Sequence, residues 1–160
     1  MNNGNVRSAL TVRGVWKRFG AVEALADVGF DVMPGELFFL LGPSGCGKTT
    51  MLRIVAGLES PDRGSIRLGA RDIFELPPHR RGAPMVFQNY ALWPHLAVKD
   101  NVAFGLVERR VPRREIAERT QAALERVGLE GLGDRMPGQL SGEQQQRVVL
   151  ARALVLNPDL

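Results

Sequence analysis

A single cysteine, Cys46, stands among the 160 residues, which excludes an internal disulfide and leaves no second thiol for a metal site. Long apolar runs are also lacking. The longest compact one, Leu37 to Leu41, falls well short of the roughly 18 to 20 residues a membrane-spanning helix needs. The opening MNNGNVRSALTV has no apolar centre of the kind a signal peptide carries, so a cytosolic chain is expected. No internal repeat or low-complexity segment occurs, and the 18 glycines and 10 prolines are dispersed as punctuation with no linker-like cluster. With 44% apolar residues, the chain is long enough for one cored domain, and one domain without an internal boundary is expected.

What the chain has in excess is arginine. The net charge of +4 and a pI near 10 owe much to the run VERRVPRREIAER, where Glu108, Glu115 and Glu118 interleave with the arginines. Mixed charges at this spacing fit a solvated helix face, so basicity alone does not argue for a nucleic-acid or membrane surface.

Period-two alternation in DVGFDV sets Val28, Phe30 and Val32 on one face of a half-buried strand. The continuous apolarity of ELFFLL, Glu36 to Leu41, predicts a strand covered on both faces, as in a parallel sheet. In KTTMLRIVAGL, Met51, Leu52, Val55 and Leu58 recur at helical spacing, and Gly57 is suited to end the helix. Short strands are expected at GSIRL and APMVF, separated by ELPPHRRG, where Pro77 and Pro78 exclude regular structure. Three helical patterns follow. The first carries Val98, Val102 and Leu106; the second, after Pro112, carries Ile116, Ala123, Leu124 and Val127; the third opens at Ser141 and runs to Leu156, where Asn157 and Pro158 stop it.

Between the buried-strand pattern and the first helix lies GPSGCGKT, Gly42 to Thr49, which fits G-x-x-x-x-G-K-[ST]. Gly42, Gly45 and Gly47 permit a loop curved tightly enough for successive amides to converge on a polyphosphate. Lys48 supplies a cation to the outer phosphates, and the Thr49 hydroxyl is placed to ligate magnesium. Cys46 occupies a variable position of the motif and needs no redox role. Farther on, LSGEQQQR places Gln144 three residues after Ser141, which reads as a capping box, while Gly142 allows close approach to the positive end of a helix.

Together these segments resemble the nucleotide-binding subunit of ABC transporters from about Leu10 onward, in motif order and spacing. GPSGCGKTT is similar to that family's Walker A, VFQNYALWPHLAV to its glutamine loop, and LSGEQQQRVVLARAL to its signature motif and following helix. The wording around Gln88 most resembles importer ATPases of the sugar, polyamine and ferric-iron group. The resemblance implies an α/β P-loop core with an N-terminal antiparallel β subdomain and a helical subdomain carrying the signature motif.

It also implies the site. ATP would contact Phe19 by stacking, Gly42, Pro43, Ser44, Gly45, Cys46, Gly47, Lys48, Thr49 and Thr50 through the loop, then Gln88, Ser141, Gly142, Glu143 and Gln144. Lys48 and Gln88 would be the catalytic residues present, with Thr49 and Gln88 on magnesium. Tyr90, Trp93 and His95 would be exposed contacts for a membrane-spanning permease subunit. A second nucleotide-binding subunit would pair head to tail, and a solute-binding protein would act indirectly, at the cytosolic face of the membrane. One departure stands out: Glu143 replaces a usual glycine, and its carboxylate is expected to turn outward.

The family's magnesium-linked aspartate, its adjacent glutamate and its switch histidine are implied to lie beyond residue 160, so residues 1–160 are expected to bind ATP weakly and hydrolyse it negligibly. Part of the core sheet would then lie outside the 160 residues, leaving an unpaired edge. Neither His79 nor His95 maps to that histidine, and Asp159 does not map to the aspartate. The alternative, an ABC-type ATPase acting on nucleic acid or the ribosome, is disfavoured because the interval from Gln88 to Ser141 leaves no room for a coiled-coil arm. The transported solute is not written in this sequence.

Overall fold

The computed structural model describes residues 10–160, so most of the opening segment tested for a signal peptide lies outside the described residues. Two compact units occur, one reaching Met85 and including Asp159 and Leu160, the other running from Val86 to Pro158.

The first unit is built on a four-stranded antiparallel sheet in the order β2-β1-β3-β4, comprising β1 (Leu10–Phe19), β2 (Val22–Val32), β3 (Arg63–Leu68) and β4 (Arg71–Asp72). The expected alternation holds in β2, where Val32 is buried and Val28 and Phe30 pack on the core, while Asp27, Gly29 and Asp31 are exposed. In β1 the period breaks at Gly14, whose φ of 56° allows a bulge between Val12 and Val15. Both valines are thereby fully buried despite an odd spacing. The sheet packs its apolar face, including Leu25, Ile66 and Leu68, with Met51, Ile54 and Val55 of helix α1 (Lys48–Ala56).

Three expectations are corrected here. Segment 36–41 forms no ladder, and Leu37, Phe39 and Leu41 are among its exposed side chains. An apolar run acquires strand geometry only by pairing, and no strand among the described residues pairs with it. Segment 83–87 is likewise unpaired. In α1, Leu52 and Leu58 are about half exposed and Ile54 is fully buried, so the inward stripe is Met51, Ile54 and Val55. A smaller correction is that Pro78 begins a short 3-10 helix, Pro78–Arg80, because its missing N–H is not needed at a helix start.

Gly57 ends α1 with φ at 80°, its amide donating to Arg53 and Ile54 carbonyls. Against it lies Arg81, 3% exposed. The Arg81 guanidinium donates to Ile54 O at 2.6 Å, Leu76 O at 2.6 Å and Phe74 O at 2.9 Å, with a longer contact to Val55 O at 3.3 Å. A Cβ on Gly57 would sit 2.4 Å from Arg81 Nε, so the glycine is required twice over.

The second unit packs three helices, α2 (Val98–Glu108), α3 (Arg113–Arg126) and α4 (Gly142–Leu154), around their own core. Val98, Val102 and Leu106 of α2 are all fully buried, as their spacing predicts, and Ala123 and Leu124 of α3 join them. The arginine-rich run forms the solvated face expected of it, with Arg114 pairing Glu118 at 2.9 Å and Arg119 pairing Glu115 at 3.1 Å. Helix α4 ends at Leu154, two residues before the expected stop, and Asn157 adopts a left-handed φ of 49°.

Candidate functional site

The loop 42–47 is shaped by its glycines. Gly42, Gly45 and Gly47 have φ values of 154°, 82° and 88°, and a Cβ on Gly47 would lie 2.4 Å from the Ala24 carbonyl. Gly47 therefore cannot be enlarged without moving β2. Helix α1 begins at Lys48 with no side-chain cap and no acidic residue in its first turn. Its first amides thus lack intrahelical acceptors and side-chain acceptors alike, which concentrates positive potential at the loop. Lys48 bends back over this loop, donating to Gly42 O and Pro43 O at 2.7 Å each and lying 3.4 Å from Cys46 Sγ. The ammonium is thereby held against the loop. Thr49 is exposed and Thr50 half-buried beside it; Pro43, Ser44 and Cys46 are exposed.

Among the described residues, no group of three or more His, Cys, Asp or Glu side chains could hold a metal. A metal at this loop would be held by a hydroxyl oxygen, phosphate and water, a donor set that suits magnesium. Phe19 ends β1 in the same unit and is 47% exposed, with Lys17 Nζ 5.0 Å from its ring centroid. It is not a core residue. Lys17 is itself pinned to Glu59 at 2.7 Å, and that hydrogen bond chiefly raises its pKa above lysine's ordinary value. Asp159 accepts from Arg71 at 3.1 Å, and its amide donates to Gly82 O. Its carboxylate is thus engaged in an ion pair.

In the second unit Gln88 is exposed at a turn closed by Tyr90 N–H donating to Phe87 O at 3.1 Å. His95 is exposed, but Tyr90 and Trp93 are partly buried, which corrects the expectation of three exposed contacts. Trp93 packs at a 35° tilt against Phe104 with centroids 4.3 Å apart, and the Arg152 guanidinium lies 4.9 Å from its ring. The cause is Asn101, fully buried on α2, which accepts from Trp93 N–H at 2.9 Å and donates to the carbonyls of Trp93, Leu96 and Ala97. Neither Asn101 nor Arg152 is singled out by any motif. The available signal is positional, since Asn101 follows Val98 by three and Arg152 follows Val148 by four, placing polar groups on buried faces.

The capping box at Ser141 is formed in full. Gln144 N–H donates to Ser141 Oγ at 3.2 Å, and Ser141 N–H donates to Gln144 Oε1 at 3.0 Å. Glu143 is exposed and pairs with Arg147 one turn along α4, so its carboxylate is directed along the helix surface. A Cβ added to Gly142 at the helix start would meet only the Tyr90 hydroxyl, at 3.8 Å. Because an exposed pair of this kind contributes little, Glu143→Gly in the full-length protein should change the ATP KM by less than about fivefold. Steady-state ATPase titration would reveal a larger change if the carboxylate obstructs phosphate.

The family described as ABC transporter matches this chain over residues 25–160. The Fe(3+) ions import ATP-binding protein FbpC 1 of Rhizobium meliloti is 51% identical over 152 residues, covering 95% of this chain and 43% of that protein. The spermidine/putrescine import ATP-binding protein PotA of Oleidesulfovibrio alaskensis is 51% identical over 147 residues, covering 92% of this chain and 39% of its own length. The chain therefore spans less than half the length of these curated relatives. Among solved structures, a bacterial ABC transporter cassette, MJ0796, determined as a dimer, superposes with a TM-score of 0.82 at 32% identity, covering 93% of this chain and 70% of that one. The same cassette bound to ADP and Pi gives a TM-score of 0.81.

Proposed function

Because this chain belongs to the ABC transporter family, in the α/β fold of its ATP-binding cassettes, we propose that it supplies the ATP-capturing part of an importer's ATPase subunit. The observation that carries this is the loop 42–47, where positive-φ glycines lead into the uncapped start of α1 and Lys48 folds back over the turn. Polyphosphate is the ligand such a spot suits, because the charge is fixed and needs no rearrangement. The loop residues Gly42 to Thr50 hold the phosphates, and Phe19, exposed at a strand end, stacks on the base. Thr49 and Gln88 offer oxygens to magnesium, which when bound neutralises charge on the outer phosphates. Ser141, the Gly142 and Glu143 amides and Gln144 face the phosphate of a second, head-to-tail subunit. The solved cassette is dimeric, and this supports the reading.

His95 and the ring edges of Tyr90 and Trp93 meet a permease subunit at the cytoplasmic face of the membrane, with a solute-binding protein acting upstream of both. No helix among the described residues is long and apolar enough to cross a membrane. The relatives' names give iron, polyamine and sulfate as cargo at nearly equal identity, so cargo is not proposed. By the same reading, residues 1–160 as a separate polypeptide bind ATP weakly and turn it over negligibly, because no carboxylate among them is placed to orient the attacking water.

The test is ATP-dependent uptake by proteoliposomes loaded with ATP and carrying the full-length protein with its co-encoded permease and solute-binding protein, using ferric iron, spermidine and sulfate in turn. Uptake tied to ATP hydrolysis is the expected result. ATPase activity stimulated by DNA or ribosomes and indifferent to the permease would overturn the reading. For residues 1–160, steady turnover that disappears in Lys48→Ala would overturn the expectation of inactivity.

A further inference from the structure

Gln88 is followed by two turns in succession. The first is the turn closed on Phe87 O; the second is a three-residue turn in which Ala91 N–H donates to Asn89 O at 2.7 Å across Tyr90. Tyr90 and Ala91 have φ values of 61° and 48°, a left-handed region that side chains with a Cβ disfavour. Turns of this type are strained and persist only where surroundings over-determine them. The backbone carbonyls of these two residues receive their side-chain donors from a single group. Arg152 Nη1 donates to Ala91 O at 2.8 Å and Nη2 to Tyr90 O at 3.2 Å, while the same guanidinium lies over Trp93. Burial pulls its pKa below arginine's ordinary value, and it remains a cation.

Resting on the reading proposed above, we infer that Arg152 is a positioning residue, locking the double turn after Gln88 onto α4, the helix that begins at Ser141. Its planar fork reaches two adjacent carbonyls at once, which a lysine ammonium on a flexible stem does not reproduce while also stacking on an indole. Tyr90 spans the same helix, since its carbonyl is held by Arg152 near the end of α4 and its hydroxyl lies 3.8 Å from where a Cβ on Gly142 would stand, at the beginning. Asn101 fixes Trp93 to Ala97 independently from α2, so loss of Arg152 loosens residues 88–92 selectively. The consequence is that the glutamine turn and the start of α4 move as one piece, and a displacement of either carries the other.

The experiment compares the wild-type full-length protein with Arg152→Ala, Arg152→Lys and Arg119→Ala. Arg119 is the control, because it also clamps a carbonyl, Val155 O at 2.6 Å, without touching the turn. Hydrogen exchange across residues 86–97 should rise about tenfold in both Arg152 variants, with the helix amides unchanged. In the same proteins kcat for ATP should fall about tenfold with KM within about twofold, the signature of a misplaced catalytic group as against a lost binding contact. Arg152→Lys keeps the stem and charge, so the test survives should the alanine variant not fold. Wild-type exchange and kcat in Arg152→Lys would overturn the inference, as would an Arg119→Ala profile equal to that of Arg152→Ala. If the wild-type protein hydrolyses no ATP, the functional reading fails, while exchange across 86–97 still decides whether Arg152 locks the turn.

Discussion

Lys48→Ala in the full-length protein is expected to lower kcat/KM for ATP by about a hundredfold to a thousandfold, the range seen when one fixed donor to developing phosphate charge is removed. The ammonium is the only side-chain cation recorded on the loop, and it bonds Gly42 and Pro43 carbonyls. Those carbonyls lie at exposed positions, so water can replace the lysine there and folding should be little affected. A thermal midpoint close to wild type alongside the lost activity would separate a site effect from a folding effect. Lys48→Arg keeps charge but changes shape and hydration, and it should recover little, since a planar fork does not reproduce a compact ammonium. Steady-state ATPase and equilibrium ATP binding check both variants. Retention of more than a tenth of wild-type kcat/KM in the alanine variant would remove Lys48 from the chemistry.

The second large effect concerns stability. Arg81→Ala should cost about 3 to 5 kcal/mol, because it strips the donors at once from one buried carbonyl, Ile54 O, and two partly buried ones, Leu76 O and Phe74 O. Two facts aggravate the loss. The cation sits at the C-terminal end of α1, where it complements the helix dipole, and its removal opens a cavity against Gly57. Urea unfolding of the full-length protein should show the domain's midpoint falling sharply in Arg81→Ala, with only part of the loss restored by Arg81→Lys. A shift below about 1 kcal/mol, the size of an ordinary surface change, would mean that water replaces the guanidinium.

The helical unit was the most legible from sequence because its determinants are local. Val98, Val102 and Leu106 declare a buried stripe by spacing alone, and Ser141 with Gln144 declares a helix start by chemistry alone. The phosphate loop was legible for the same reason, since glycine positions, lysine and threonine act within eight residues of one another. Strand formation depends on partners, and apolarity does not report them. ELFFLL reads as a covered strand yet remains unpaired, while β1 went unread because the bulge at Gly14 breaks its alternation. Least legible were Arg81, Asn101 and Arg152. Each satisfies main-chain carbonyls, and main chain leaves no trace in residue identity, so nothing in the sequence says which polar side chain has been drafted inward. Phe19 shows the converse, an aromatic whose exposure argues for a ligand only once its surroundings are known.

The run Leu37 to Leu41, exposed at Leu37, Phe38, Phe39 and Leu41, bears on the colloidal behaviour of residues 1–160 in a tube. Five consecutive apolar residues contain no charge and no proline, and Glu36 is the only gatekeeper at their entrance. Such a segment invites edge-on contact between copies. What opposes it is the net charge of +4, which vanishes as solution pH approaches the pI near 10 and is screened at high ionic strength. Shelf life, clarity on concentration and tolerance of alkaline or salty buffers are therefore set by those four exposed side chains and a handful of surplus arginines, and not by the nucleotide loop that immediately follows them.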